Sequence, residues 1–108
     1  MTVKQLSEQS GFSAVCLPEP DREISGGYCG DLLSWVMGRA KADQAWITIM
    51  TNMNIAAVAT LCDVSAIILS EGVQPDDGVK EAAEARGINI ISTELPTFEA
   101  AKQLARLI

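Results

Sequence analysis

Four apolar runs recur down this chain, and each breaks into small polar residues before a helical pattern begins. The clearest are Ala45–Met50 followed by Thr51-Asn52-Met53-Asn54, Ala66–Leu69 followed by Ser70-Glu71-Gly72, and Ile88–Ile91 followed by Ser92-Thr93-Glu94. Phe12–Leu17, closed by Pro18 and Pro20, is the fourth. Runs this short, separated by helical periodicity, read as β-loop-α units. Such units assemble into a mainly parallel sheet with helices on both faces. The expected fold is therefore α/β, a three-layer α/β/α arrangement with about four or five strands. Parallel sheets bind ligands at the C-terminal ends of their strands, and the polar triplets fall on that edge.

The helical segments follow from stripes and caps. Thr2–Gln9 reads as a short helix ended by Gly11. Asp31 is placed to cap a helix over Leu32–Ala40, with Leu32, Leu33, Val36, Met37 and Ala40 as its inward stripe. Asn54 is placed to cap Ile55–Leu61, a helix apolar nearly all round and so expected to be buried or at an interface. Pro75, Asp76 and Asp77 open a helix that ends at Gly87. Thr97 caps a final helix whose expected buried stripe is Phe98, Ala101, Leu104, Ala105 and Ile108. Asp21–Gly30 is the least regular stretch, with a short strand expected near Glu23–Ser25 and a glycine turn at Gly26-Gly27. The N-terminal third is the place for a strand that makes the sheet mixed. No linker or charge run divides the 108 residues, which are expected to form a single domain over 1–108.

Composition removes several functions. The net charge is −6, which opposes nucleic acid and anionic membrane surfaces. No segment approaches the roughly 20 apolar residues of a membrane span, and no signal peptide is expected. Histidine is absent, which removes histidine catalysis and most zinc or iron sites. Cys16, Cys29 and Cys62 are an odd number without a close pair, as in a reduced cytoplasm. No cofactor, metal or catalytic residue is indicated.

The candidate ligand-binding residues are the polar and glycine positions of the loops. Thr51, Asn52 and Asn54 form either a cradle for an anion or amide, or a plain helix cap. Ser25, Gly26 and Gly27 either let a ligand approach the backbone closely or make a simple turn. Ser70, Glu71 and Gly72 end a central strand. There Glu71 either holds a ribose hydroxyl or a basic group, or is a solvated loop acid. Thr93 and Thr97 add hydroxyls to the same edge. Cys29 lies in a glycine-rich loop without a basic neighbour to activate it. Trp35 lies off the centre of its helix stripe and is a candidate dimer anchor.

The stretch Thr51–Ile108 resembles a DRTGG domain, a small module found in CBS-domain inorganic pyrophosphatases and some phosphate acetyltransferases. It is similar in fold to the N-terminal domain of HPr kinase/phosphorylase. The pieces that carry the resemblance are Ile67-Ile68-Leu69-Ser70-Glu71-Gly72, Pro75, the helix to Gly87, Ile88–Thr93 and Thr97-Phe98-Glu99. Gly26-Gly27 and the Asp31–Ser34 helix start match more loosely. The family's Gly-Asp-Arg turn aligns with Asn52-Met53-Asn54, and its Thr-Gly-Gly with Ser70-Glu71-Gly72. Asp21-Arg22 before Gly26-Gly27 imitates the signature outside its place. The resemblance implies a regulatory or structural module rather than a catalyst. Free-standing members are sometimes labelled serine kinases, but this chain has no Gly-x-x-x-x-Gly-Lys-Ser/Thr loop to hold ATP phosphates. Its expected partners are a second copy in a homodimer or another protein, and a nucleotide or phosphorylated small molecule. The alternatives are a purely structural interaction domain and, last, a small phosphotransferase.

Overall fold

A computed structural model describes all 108 residues. The strands are β1 (Phe12–Cys16), β2 (Gly26–Cys29), β3 (Gln44–Thr48), β4 (Ala66–Leu69) and β5 (Ile90–Thr93). The helices are α1 (Val3–Ser7), α2 (Leu33–Arg39), α3 (Asn54–Cys62), α4 (Val79–Arg86) and α5 (Thr97–Leu107). One five-stranded sheet runs in the order β1-β5-β4-β3-β2. Strands β2 to β5 are parallel, and β1 joins β5 antiparallel with a bulge between Ala14 and Cys16. The architecture is the expected α/β class, with the mixed strand contributed by the N-terminal third.

Alternation along the strands divides the core into two. On one face Trp46, Ile67, Leu69 and Ile90 pack with Val36 of α2, Ile55 and Val58 of α3, and Val79 and Ala83 of α4. On the other, Ala45, Ile47, Ile68 and Ile91 pack with Val3 and Leu6 of α1 and Leu104 of α5. All four residues of β4 are buried, which explains why this central strand is a continuous apolar run. Asn89 is the polar exception beside β5. Its amide donates to Glu19 O and Ser65 O and accepts from Glu19 N, so a buried side chain fastens the turn after β1 to the sheet.

Several local expectations are corrected. Gly26-Gly27 is not a turn: it starts the edge strand β2, and only Thr2↔Glu23 forms an isolated bridge upstream. The stripe of α2 is narrower than expected, because only Val36 is buried while Leu32 and Met37 face solvent. Helix α5 buries Leu104 as expected and packs Ala101 against the core, but it is turned from the rest of its expected stripe. Ala100 and Leu104 are buried, whereas Phe98 is 74% exposed and Ile108 45%. Helix α4 begins at Val79, later than Pro75-Asp76-Asp77 suggested, after Gly78 in a left-handed conformation.

Candidate functional site

The C-terminal ends of β3, β4 and β5 carry most of the expected residues, and side chains there tie one loop to the next. Thr51 Oγ1 donates to Asp76 Oδ1 at 2.9 Å, and Asp76 N donates back to Thr51 O at 2.9 Å. This pair joins the loop before α3 to the loop before α4. Ser70, wholly buried, shares a 2.7 Å hydrogen bond with the Thr97 hydroxyl. Thr97 N donates to Glu71 Oε2 at 2.8 Å, joining the end of β4 to the start of α5. Gly72 N donates to Thr93 O, and Glu71 N to Leu95 O. The Thr93 hydroxyl donates to Gly11 O at 2.6 Å and accepts from Leu95 N.

The capping roles differ from those expected. Asn54 is the first residue of α3 and not its cap; Asn52 Oδ1 accepts from Asn54 N at 2.9 Å instead. Thr97 is likewise inside α5, and its backbone N–H is capped from outside by Glu71. Asp31 does not cap α2. Its Oδ1 accepts from the Thr48 hydroxyl and from Ile49 N, closing the end of β3 against the end of β2. A side chain that meets a neighbouring strand end gains two bonds, where capping α2 would give one.

Ser25, Gly26 and Gly27 do not join this edge. Ser25 N donates to Asp43 O, and Gly26 and Gly27 lie opposite Gln44 and Ala45. They therefore sit at the N-terminal end of the parallel strands. The close approach at Gly27 is to α5: a Cβ there would lie 3.0 Å from Leu104 Cδ2. Arg22, part of the misplaced signature, also belongs to that opposite end. It donates to Asp43 Oδ1, Asp63 Oδ1, Asp63 O and Val64 O.

The C-terminal edge is acidic. It bears Asp31, Glu71, Asp76, Asp77 and Glu94 in its loops, and none of the three ion pairs of the protein lies there. Glu81 and Glu99 occupy the first turns of α4 and α5, whereas α3 has no acid in its first turn. Among the starts of α3, α4 and α5, that of α3 is thus the one where backbone N–H groups favour an anion most; α2 also lacks a first-turn acid, but Asp31 stands two residues before it. Cys29, at the end of β2, is exposed, but burial of its sulfur and the nearby Asp31 carboxylate push its pKa up. That opposes thiolate chemistry. No group of three metal-ligating side chains occurs anywhere in the chain.

A second feature of this edge was not legible in the sequence. A cleft of about 350 Å³ opens beyond β5, lined by Ser13, Gln74, Ser92 and Glu94 among others. Ser13 and Ser92 are direct partners across the antiparallel β1–β5 pair. Only that long-range pairing brings residue 13 to the strand ends, and no local pattern announces it.

No helix is long and apolar enough to cross a membrane. A search of curated proteins finds no match. Among solved structures, the chain is similar to the CBS and DRTGG domains of the regulatory region of Clostridium perfringens pyrophosphatase, crystallised with its activator diadenosine tetraphosphate. The TM-score is 0.66 at 18% identity, over 84% of this chain and 40% of that one, so the likeness is one of fold. The family model described as DRTGG domain matches residues 32–107, well over half of the chain. The segments Asn52–Asn54 and Ser70–Gly72 follow the C-terminal ends of the adjacent strands β3 and β4 within the matched residues. The chain belongs to the DRTGG domain family.

Proposed function

We propose that the protein is a non-catalytic regulatory or accessory module that senses a small, phosphate-bearing, nucleotide-like ligand at the strand C-terminal edge. The signal passes through a homodimer or a partner protein, in the cytoplasm. The observation that carries this reading is the hydrogen-bonded belt of that edge. Through Thr51–Asp76, Ser70–Thr97 and Glu71–Thr97 it connects the starts of α3, α4 and α5. A ligand that draws on one of these loops changes the positions of three helices at once. The ligand's anionic part belongs at Thr51, Asn52 and Asn54, because α3 alone among those helices lacks a first-turn acid; to meet it the Thr51 hydroxyl leaves the Asp76 carboxylate. The functional unit is the whole of residues 1–108, since β1 and β2 complete the same sheet. The DRTGG family match and the likeness to a pyrophosphatase's regulatory region support a non-catalytic role.

Thermal shift against nucleotides, phosphorylated metabolites and inorganic phosphate tests the reading. Diadenosine tetraphosphate belongs in that panel because the similar regulatory region was crystallised with it. A ligand at 100 times its Kd stabilises the folded state by about 2.7 kcal/mol. The expected result is a selective shift that Asn54→Ala reduces. A flat panel from folded protein removes the sensor reading.

A specific observation favours a second reading, an interaction domain without a ligand. Trp35, 53% exposed, lies under the Arg39 guanidinium at 3.7 Å, and Leu32, Met37 and Leu61 are exposed on the same pair of adjacent helices, α2 and α3. Clusters of this kind mark protein contacts. Sedimentation of the native protein and of Trp35→Ala separates the readings. Self-association weakened by the substitution, together with a flat ligand panel, selects the second.

A further inference from the structure

The cleft beyond β5 shares Gly72 and Thr93 with the strand-end loops, but it lies apart from the start of α3 and its chemistry differs. Its floor is the Ser13–Ser92 pair, whose side chains stand on the same face because the residues are directly opposite across an antiparallel ladder. Its walls are the loop at Gly72–Gln74 and the segment Thr93–Pro96. The rim is held by backbone and hydroxyl bonds: Gly72 N to Thr93 O, Glu71 N to Leu95 O, and Thr93 Oγ1 to Gly11 O. Thr93 spends its hydroxyl on that rim. The side chains of Ser13, Gln74, Ser92 and Glu94 form no hydrogen bond within the protein, although they line the same hollow.

Glu94 sets the sign of the ligand. It has no ion-pair partner, since the salt bridges of the protein join Met1 to Glu23 and Arg22 to Asp43 and Asp63. No lysine or arginine lines the cleft. Gly72 leaves room for the carboxylate, because a Cβ at that position would collide with it. A phosphate here would meet an uncompensated negative charge. A sugar would find hydroxyls and a carboxylate but no exposed ring to stack on, because Phe12 is buried. A small organic cation fits each group. Its ammonium or guanidinium head would donate charge-assisted hydrogen bonds to Glu94 and to the serine oxygens. A short aliphatic stem would lie along Leu95 and Pro96. The volume, about 350 Å³, lies at the lower end of the range for small-ligand pockets.

We propose that this cleft is a binding site for a small organic cation, an amine or guanidine with a short aliphatic chain, held by Glu94, Ser13 and Ser92. The site stands on its own observations and does not rest on the nucleotide reading.

Agmatine, putrescine, D-ribose and inorganic phosphate are the probes, titrated into the native protein and followed by amide chemical shifts and calorimetry. Saturable binding of agmatine or putrescine is expected, with shifts concentrated at Ser13, Ser92 and Glu94. In Glu94→Gln, which keeps shape and removes charge, affinity should fall by about tenfold, the value of one charge-assisted bond. Ser92→Ala should weaken binding by a smaller factor, about threefold, as loss of a neutral hydrogen bond does. Three results overturn the site. They are no saturation by either cation, equal affinity in a folded Glu94→Gln protein, and ribose or phosphate binding in the cleft where the cations do not. A nucleotide-induced shift elsewhere on the molecule leaves these outcomes unaltered, so the two sites succeed or fail separately.

Discussion

Glu71 reaches over the end of its own strand and accepts a hydrogen bond from the backbone N–H of Thr97 at 2.8 Å, so the acid of one loop is the cap of the last helix. Its own backbone pays a conformational cost to do so, with φ at 61° in the left-handed region. The Ser70 and Thr97 hydroxyls meet 2.7 Å apart beside it. Two consecutive residues after β4 therefore position the start of α5, the helix that covers β2 and β3.

Replacing Glu71 with alanine removes the cap and keeps the strained backbone. The expected loss is about 1 kcal/mol of unfolding free energy, the usual value of an N-terminal cap. Glu71→Gly should lose less, because glycine adopts positive φ without penalty. Urea unfolding of the two variants measures the difference. Equal losses would mean that the left-handed backbone at position 71 costs nothing.

The sequence showed the elements whose signals are local, and hid those made by pairing. The boundaries of β4 and the body of α3 follow from an apolar run and from helical composition. Strand β2 was concealed because Gly26 and Gly27 have poor strand propensity; the missing side chains make room for Leu104 of α5, a residue 77 positions away from Gly27. The rotation of α5 was concealed for a related reason. Both of its candidate faces contain apolar residues, and packing on β2 and β3 selects Ala100 and Leu104 over Phe98. At the C-terminal edge, Thr51, Asn52, Asn54, Ser70, Glu71, Gly72, Thr93 and Thr97 were legible as loop residues after strands. Their partners Asp76 and Gly11 were not, nor was the bond from Thr48 to Asp31, because hydrogen bonds between loops leave no periodic trace.

Asn89 holds three hydrogen bonds at 1% exposure, and its replacement tests how far a buried polar group organises the N-terminal turn. Asn89→Leu leaves Glu19 N, Glu19 O and Ser65 O without their partner. An expected loss of about 3 kcal/mol follows from leaving buried polar groups unsatisfied. Hydrogen exchange should locate the damage at residues 18–20 and at the end of β4's entry turn. A uniform loss of protection across the sheet would contradict the local role.

Gly72→Ala tests the crowding at the cleft wall. The position has φ at 73°, and the added Cβ would collide with the Glu94 carboxylate. Left-handed backbone costs an alanine about 1 kcal/mol relative to glycine, and swinging the exposed Glu94 side chain aside adds a smaller amount. The expected total is about 1–2 kcal/mol in chemical denaturation. The double variant Gly72→Ala/Glu94→Ala removes the collision and should recover part of the loss. Strict additivity of the two substitutions would show that the side chains do not meet.

The thiols make stability depend on pH at the alkaline end. Burial pushes the Cys16 pKa up, and burial also raises those of Cys29 and Cys62. The folded protein thus holds its thiol protons more tightly than the unfolded chain. Their contribution is fully present below the unfolded thiol pKa, about 8.5. It is lost as pH rises through the raised folded values, because the unfolded chain releases the protons first. The urea midpoint should therefore fall between about pH 8 and pH 10. Cys16, the buried one of the three, should carry the largest share. In Cys16→Ala the midpoint starts lower, because a buried sulfur is lost, but declines less steeply across the same range. Parallel curves for the two proteins would assign the alkaline loss to other groups.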